Sequence, residues 1–151
     1  MSNIFNKLNL REQREILVIA APASFAPELA VLDDLLIHRQ VEDSGSITFS
    51  LAFVTTRSEV ERLTREITAR VSGDAILWFA YPKKSSRLYQ SELSRDAGWE
   101  ELGRAGYECV RMVAIDEDWS AARFRHVDFI RKLQRDEKRL LGADGKRRRT
   151  S

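Results

Sequence analysis

Ala75-Ile-Leu-Trp-Phe-Ala-Tyr-Pro-Lys-Lys-Ser-Ser-Arg87 is the stretch on which the fold turns. Its first seven residues are apolar at every position, leaving no side for water. Such a run predicts a strand covered on both faces, at the centre of a parallel sheet. Pro82 closes the strand because it carries no N–H for a further ladder bond. Lys83-Lys-Ser-Ser-Arg87 then forms a polar loop at the strand's carboxyl end.

Working toward the N-terminus, Thr56-Arg-Ser-Glu59 is a capping box, followed by Val60, Leu63, Ile67 and Val71 at helical spacing. Ser72-Gly73-Asp74 is expected to end that helix. Ile47 to Thr55 reads as a strand with Ile47, Phe49, Leu51 and Phe53 on one face, and Glu15 to Ala21 as a β-branched strand ended by Pro22. Between them, Pro27 suits a helix's first turn, and Leu29, Leu32, Leu35 and Leu36 predict a helix running through Leu36. Toward the C-terminus, Trp99, Leu102 and Ala105 predict a short helix stopped at Gly106, with Asp96 as its N-cap. Tyr107 to Ile115 and Trp119 to Arg125 read as strands joined by Asp116-Glu-Asp118, a connection too short for a parallel crossover, so they are antiparallel neighbours. Val127, Ile130 and Leu133 begin a last helix. The expected fold class is α/β: a mostly parallel sheet of about five strands with an antiparallel C-terminal hairpin and helices on both faces.

The chain has 151 residues, with Lys+Arg 25 against Asp+Glu 23. Residues 131 to 149 hold nine basic and three acidic side chains, a segment of +6, which leaves residues 1 to 130 at −4. The division predicts a single α/β domain over residues 1–141 and a basic tail over 142–151, and it argues against a basic nucleic-acid-binding core. Lys146, Arg147, Arg148 and Arg149 are expected to give weak, non-specific contact with polyanions. No run is apolar enough to span a membrane and no leader pattern opens the chain, so a cytoplasmic protein is expected. Cys109, the single cysteine, lies in an apolar segment and is expected to be buried and inert. His38 and His126 have no ligand spacing, so no metal and no cofactor is expected from ligand motifs.

In such sheets ligands sit beyond the carboxyl ends of the strands. That rule selects Tyr81, Lys83, Lys84, Ser85, Ser86 and Arg87, joined by Arg95, as a site for an anionic small molecule or protein partner, held by charge-assisted bonds. Asp116-Glu-Asp118 reads as an Asx-type turn rather than a metal site. Period-two alternation puts Trp119, Arg123 and Arg125 on one strand face, where the arginines can meet the acidic turn or stack on Trp119 and the row can serve as a partner surface. No catalytic set assembles: there is no G-x-S-x-G elbow and no histidine placed beside a nucleophile.

Leu77-Trp-Phe-Ala-Tyr-Pro-Lys-Lys-Ser-Ser86, Arg95-Asp-Ala-Gly-Trp99 and Ala114-Ile-Asp-Glu-Asp-Trp-Ser-Ala-Ala-Arg-Phe-Arg125 resemble a family of small bacterial proteins known as a domain of unknown function. The likeness covers roughly Ile16 to Ile130 and implies a fold but no activity. In architecture the chain is also similar to class I methyltransferases with two middle strands missing. Those enzymes hold S-adenosylmethionine on a Gly-rich loop after the first strand. Here that loop is Ala20-Ala-Pro-Ala-Ser-Phe25, with no glycine, and the acidic residue that closes the next strand is missing with that strand. Three functions follow as expectations: an accessory or non-catalytic binding module, a degenerate methyltransferase-like enzyme, or a nucleic-acid accessory protein acting through the tail.

Overall fold

The computed structural model describes residues 4–131. The C-terminal part of the last predicted helix and the basic tail with Lys146 to Arg149 lie outside the described residues. In chain order the elements are α1 (Ile4–Lys7), β1 (Glu15–Ile19), α2 (Ala26–Ala30), β2 (Leu36–His38), β3 (Ile47–Phe53), α3 (Arg57–Thr68), β4 (Val71–Pro82), α4 (Glu100–Arg104), β5 (Tyr107–Ala114) and β6 (Trp119–His126). Residues 127–131 are helical.

Six strands form one sheet in the order β2-β1-β3-β4-β6-β5. The pairs β1·β2, β1·β3 and β3·β4 are parallel, whereas β6 runs antiparallel to both β4 and β5. The apolar run Ala75 to Tyr81 is the middle of β4 and is buried at every position, as an internal strand between β3 and β6 requires. Helices cover both faces. Phe5, Leu8, Phe25 and Leu29 pack from α1, α2 and their flanks on Val18, Phe49, Leu51 and Trp78. Val60, Leu63 and Ile67 of α3, with Leu102 of α4, pack on Leu17, Ala52, Leu77, Phe79 and Phe124. Each such fully buried aliphatic side chain contributes about 1.5–3 kcal/mol.

Four expectations are corrected. The helix predicted through Leu36 ends at Ala30, and Leu36 opens the edge strand β2, aligned with Glu15 of β1. Asp33-Asp34 falls where a helix of that length would end, beside the negative end of its dipole, and the following Leu35-Leu-Ile37 is a short apolar run fit for a strand. Ser72-Gly73-Asp74 belongs to β4, not to a helix end. Gly73 takes φ +63°, and the register with β3 jumps from Ile47↔Val71 to Phe49↔Ile76, so a bulge throws Asp74 outward. The same irregularity turns Ile47 to the α3 face, away from Phe49, Leu51 and Phe53. Cys109 is exposed, because β5 is an edge strand and an apolar segment at an edge lacks a neighbour to cover it.

The capping box is formed in full: the Thr56 hydroxyl accepts from Glu59 N–H at 3.2 Å, and Glu59 Oε1 accepts from Thr56 N–H at 3.2 Å. Glu59 Oε1 also takes Thr55 N–H at 2.7 Å, and Glu92 Oε1 takes Arg57 N–H at 2.9 Å. At the α3 N-terminus, then, the Thr56 and Arg57 N–H groups meet the protein's own carboxylates and the Glu59 N–H meets the Thr56 hydroxyl.

Candidate functional site

The carboxyl ends of β1, β3 and β4 share one edge of the sheet, and beside β4 that edge opens into two adjoining clefts. One, of about 350 Å³, is lined by Tyr81, Lys83, Lys84, Arg95, Asp96 and Ser120 among others. The other, of about 470 Å³, lies beyond Lys83 and Lys84 toward Ser86, Tyr89 and the chain from Gln90 to Ser94. The expected Tyr81, Lys83, Lys84 and Arg95 thus come together on the first cleft. Ser85 and Arg87 line neither.

Tyr81 is 6 % exposed, with its ring edge-to-face on Trp99 at 5.4 Å. Burial pushes its phenol pKa up; Cys109 adds to that rise, Arg95 opposes it, and Asp96 adds to it. The hydroxyl therefore stays a neutral donor and acceptor at the cleft. Among the described residues no carboxylate forms an ion pair with Lys83, Lys84 or Arg95.

Ser86 lines the second cleft and also braces the loop. Its Oγ donates to Asp118 Oδ1 at 2.8 Å and accepts the N–H groups of Leu88 and Tyr89, both at 3.2 Å. Lys83 N–H reaches the Asp118 carbonyl at 2.8 Å. The loop is thereby pinned to the β5–β6 turn, and that anchorage fixes where Lys83 and Lys84 emerge. The acidic turn is Asx-built, since Asp116 Oδ1 accepts from Asp118 N–H at 2.8 Å and Trp119 N–H at 2.9 Å.

Asp96 does not cap α4, which starts at Glu100 behind Trp99 with no side-chain cap. Instead Ser94 and Ala97 exchange backbone hydrogen bonds at 3.1 and 3.4 Å, and Arg95-Asp96 forms the tip of that tight turn. Gly98, at φ +102°, follows because a Cβ there would collide with the Leu93 side chain. Trp99 Nε1 then donates to the Ser94 carbonyl at 2.8 Å, locking the turn over Tyr81.

The expected Trp119 surface is also corrected. Trp119 is 4 % exposed, packed against Phe53 at 5.1 Å and Tyr89 at 4.9 Å, so it presents nothing to a partner. Arg125 pairs with Asp74 in the β4 bulge, through Nε to Oδ1 at 3.0 Å and through Nη2 to Oδ2, rather than with the acidic turn. The sequence does not announce Asp74 as a partner, because Ser72-Gly73-Asp74 carries the pattern of a helix end and only the bulge exposes it. Nor does it single out Ser94, Asp96 and Ser120 as cleft residues. Ser120 was legible in principle, since alternation places it on the Tyr81 face of β6 and it aligns with Tyr81.

This sheet order, mostly parallel with an antiparallel C-terminal pair, is a Rossmann-like α/β fold. Among solved structures the chain is similar to an S-adenosylmethionine-dependent methyltransferase from Aquifex aeolicus, with TM-score 0.56, 16% identity, and coverage of 81% of this chain and 87% of that one. It is also similar to the fibrillarin pre-rRNA processing protein of Methanococcus jannaschii, with TM-score 0.50, 12% identity and coverage of 77% and 67%. For the mitomycin 7-O-methyltransferase MmcR the values are TM-score 0.50, 16% identity, and coverage of 74% of this chain and 41% of that one. At these identities the likeness is one of fold. No family model and no curated protein matches the chain.

The residues present do not fit S-adenosylmethionine as those enzymes hold it. Ala20 occupies a left-handed conformation, φ 59°, at the turn out of β1, so the backbone bends as a glycine loop does while a methyl stands at the bend. The strand β2, which sequence reasoning did not find, ends at His38 and is followed by Arg39, so no acid closes it. Among the described residues no three His, Cys, Asp or Glu side chains gather to hold a metal ion, and no helix is long and apolar enough to cross a membrane.

Proposed function

We propose that this chain is an anion-binding domain on a methyltransferase-type fold, receiving a phosphate- or carboxylate-bearing molecule, or an acidic group of a protein partner, in the cleft beside the end of β4. The observation that carries the reading is the convergence of Lys83, Lys84 and Arg95, none of them ion-paired among the described residues, around the enclosed Tyr81. Three cations against the single carboxylate of Asp96 leave the cleft lining net positive and attract an oxyanion, and Tyr81 supplies a neutral hydrogen-bonding group to orient it. The α3 N-terminus, which in such folds is a ready anion site, is already filled by Glu59 and Glu92, so binding is shifted to the β4 side.

A second reading, methyl transfer from S-adenosylmethionine, is favoured by the fold likeness to the Aquifex aeolicus enzyme. One set of calorimetric titrations separates the two. Under the first reading, small phosphate- and carboxylate-bearing compounds bind wild type, binding is lost in the Lys83→Ala/Lys84→Ala variant, and S-adenosylmethionine gives no heat. Anion binding unchanged by the double substitution removes the first reading. Saturable S-adenosylmethionine binding that disappears on Ala21→Asp establishes the second. Mass spectrometry of small molecules carried through purification supplies candidates for the ligand.

A further inference from the structure

The face of the sheet turned away from Tyr81 carries a second, separate group of cations. Arg111 of β5 and Arg123 of β6 are direct cross-strand partners, and Arg125 follows two residues along β6 on the same face. Like charges placed opposite each other in an antiparallel pair destabilise it. Asp74 gives its hydrogen bonds to Arg125, and its charge also reaches Arg123. No carboxylate among the described residues pairs with Arg111 or Arg123, and the Arg123 Nε is enclosed with no hydrogen-bond acceptor. Arg123 is also only partly accessible to water, so its charge is not fully solvated and has no hydrogen-bonded counterion. An anion within reach of both side chains would relieve that repulsion.

We infer that Arg111 and Arg123 form a receptor for a phosphate-type oxyanion on the β5–β6 face, distinct from the cleft beside β4. The choice of anion follows from donor geometry. Each guanidinium presents a planar fork that satisfies both oxygens of a carboxylate by itself, whereas a tetrahedral phosphate offers enough oxygens to engage two forks together. Arg125 flanks the site with its fork already turned to Asp74, so it adds field rather than direct bonds.

The test is a titration of the full chain, labelled with 15N at arginine, in the Lys83→Ala/Lys84→Ala background, so that failure of the β4 cleft proposal and failure of this one are seen separately. Inorganic phosphate and a nucleoside monophosphate are added at ionic strength matched with chloride, and the Arg Nε–H resonances are followed. The Arg123 resonance, assigned by its loss in Arg123→Lys, should shift saturably, while that of Arg125, held by Asp74, moves little. Arg111→Gln, at an exposed position where the fold is not at stake, should weaken binding about tenfold. Equal affinity for the two ligands assigns free phosphate, and tighter binding of the nucleotide assigns a phosphate ester. An Arg123 resonance unmoved by either ligand, or an affinity unchanged by Arg111→Gln, overturns the proposal.

Discussion

At the scale of single residues, the turn out of β1 carries a conformational cost that the sequence could have avoided. Ala20 sits at φ 59° and is exposed, so no packing interaction demands its methyl group. The left-handed region costs a non-glycine residue about 1–2 kcal/mol. Glycine avoids that cost while losing about 0.5–1 kcal/mol through its freer unfolded chain. Ala20→Gly should therefore stabilise the protein by about 0.5–1 kcal/mol, seen as a rise of about 2 °C in Tm by calorimetry. An unchanged or lower Tm would mean that the Ala20 methyl has a contact of its own. The same substitution restores part of the missing glycine loop, so repeating the S-adenosylmethionine titration on it asks directly whether backbone approach is what this chain lacks.

At the scale of elements, what the sequence disclosed and what it hid follow from the range of the interactions. The α3 cap was legible because Thr56 and Glu59 are three residues apart, and β4 because an uninterrupted apolar run has one burial solution. The edge strand β2 was not, since Leu29, Leu32, Leu35 and Leu36 satisfy helical spacing and only pairing with the distant β1 decides against it. Likewise the Asp96 cap was a local inference overruled by the Ser94–Ala97 bridge. The short helix α4 is seated by Leu102 in the core and carries ion pairs both within itself and to distant partners. Glu101 meets Arg104 at 2.9 Å and Arg65 of α3 at 3.5 Å, while Glu100 meets Arg57 at 3.2 Å. The Glu101 carboxyl is held below its ordinary 4.5 by the hydrogen bond from Arg104, aided by the charges of Arg104 and Arg65. Glu100 is lowered too, first by a hydrogen bond from its own backbone and then by the charge of Arg57. A carboxylate whose folded pKa is depressed contributes stability that is fully present above the unfolded value and is lost as pH falls through the folded one. The contribution of this pair should thus be intact above about pH 4.5 and fade below it. Glu100→Gln/Glu101→Gln should lower Tm at neutral pH, and the gap from wild type should close as the pH is lowered. A gap that stays constant with pH would assign these residues no electrostatic role.

At the scale of the whole molecule, the position of the candidate site was legible from topology alone: once β4 is central and parallel, its carboxyl end is where ligands gather. Much of its membership was legible too, since Tyr81, Lys83, Lys84 and Arg95 meet there, but the lock that holds the loop was not, because Ser86 and Asp118 lie 32 residues apart and nothing local to either announces it. Charge divides on the same lines. Residues 1 to 130 carry 16 basic and 20 acidic side chains, and the cations singled out at the cleft and on the β5–β6 face all belong to this net-negative body. Residues 131 to 149 carry +6. A net-negative body repels a polyanion at long range, so attraction that depends steeply on salt should come from the C-terminal segment, whereas a small anion held by directed hydrogen bonds should be far less sensitive to screening. Removing residues 142–151 deletes Lys146, Arg147, Arg148 and Arg149 against Asp144, a change of −3. On heparin or single-stranded nucleic acid columns the truncated chain should elute at distinctly lower salt than the full chain, while its calorimetric affinity for small phosphate-bearing compounds stays the same. Unaltered elution would place polyanion contact on the folded body, and the arginines of the β5–β6 face would then be the first residues to substitute.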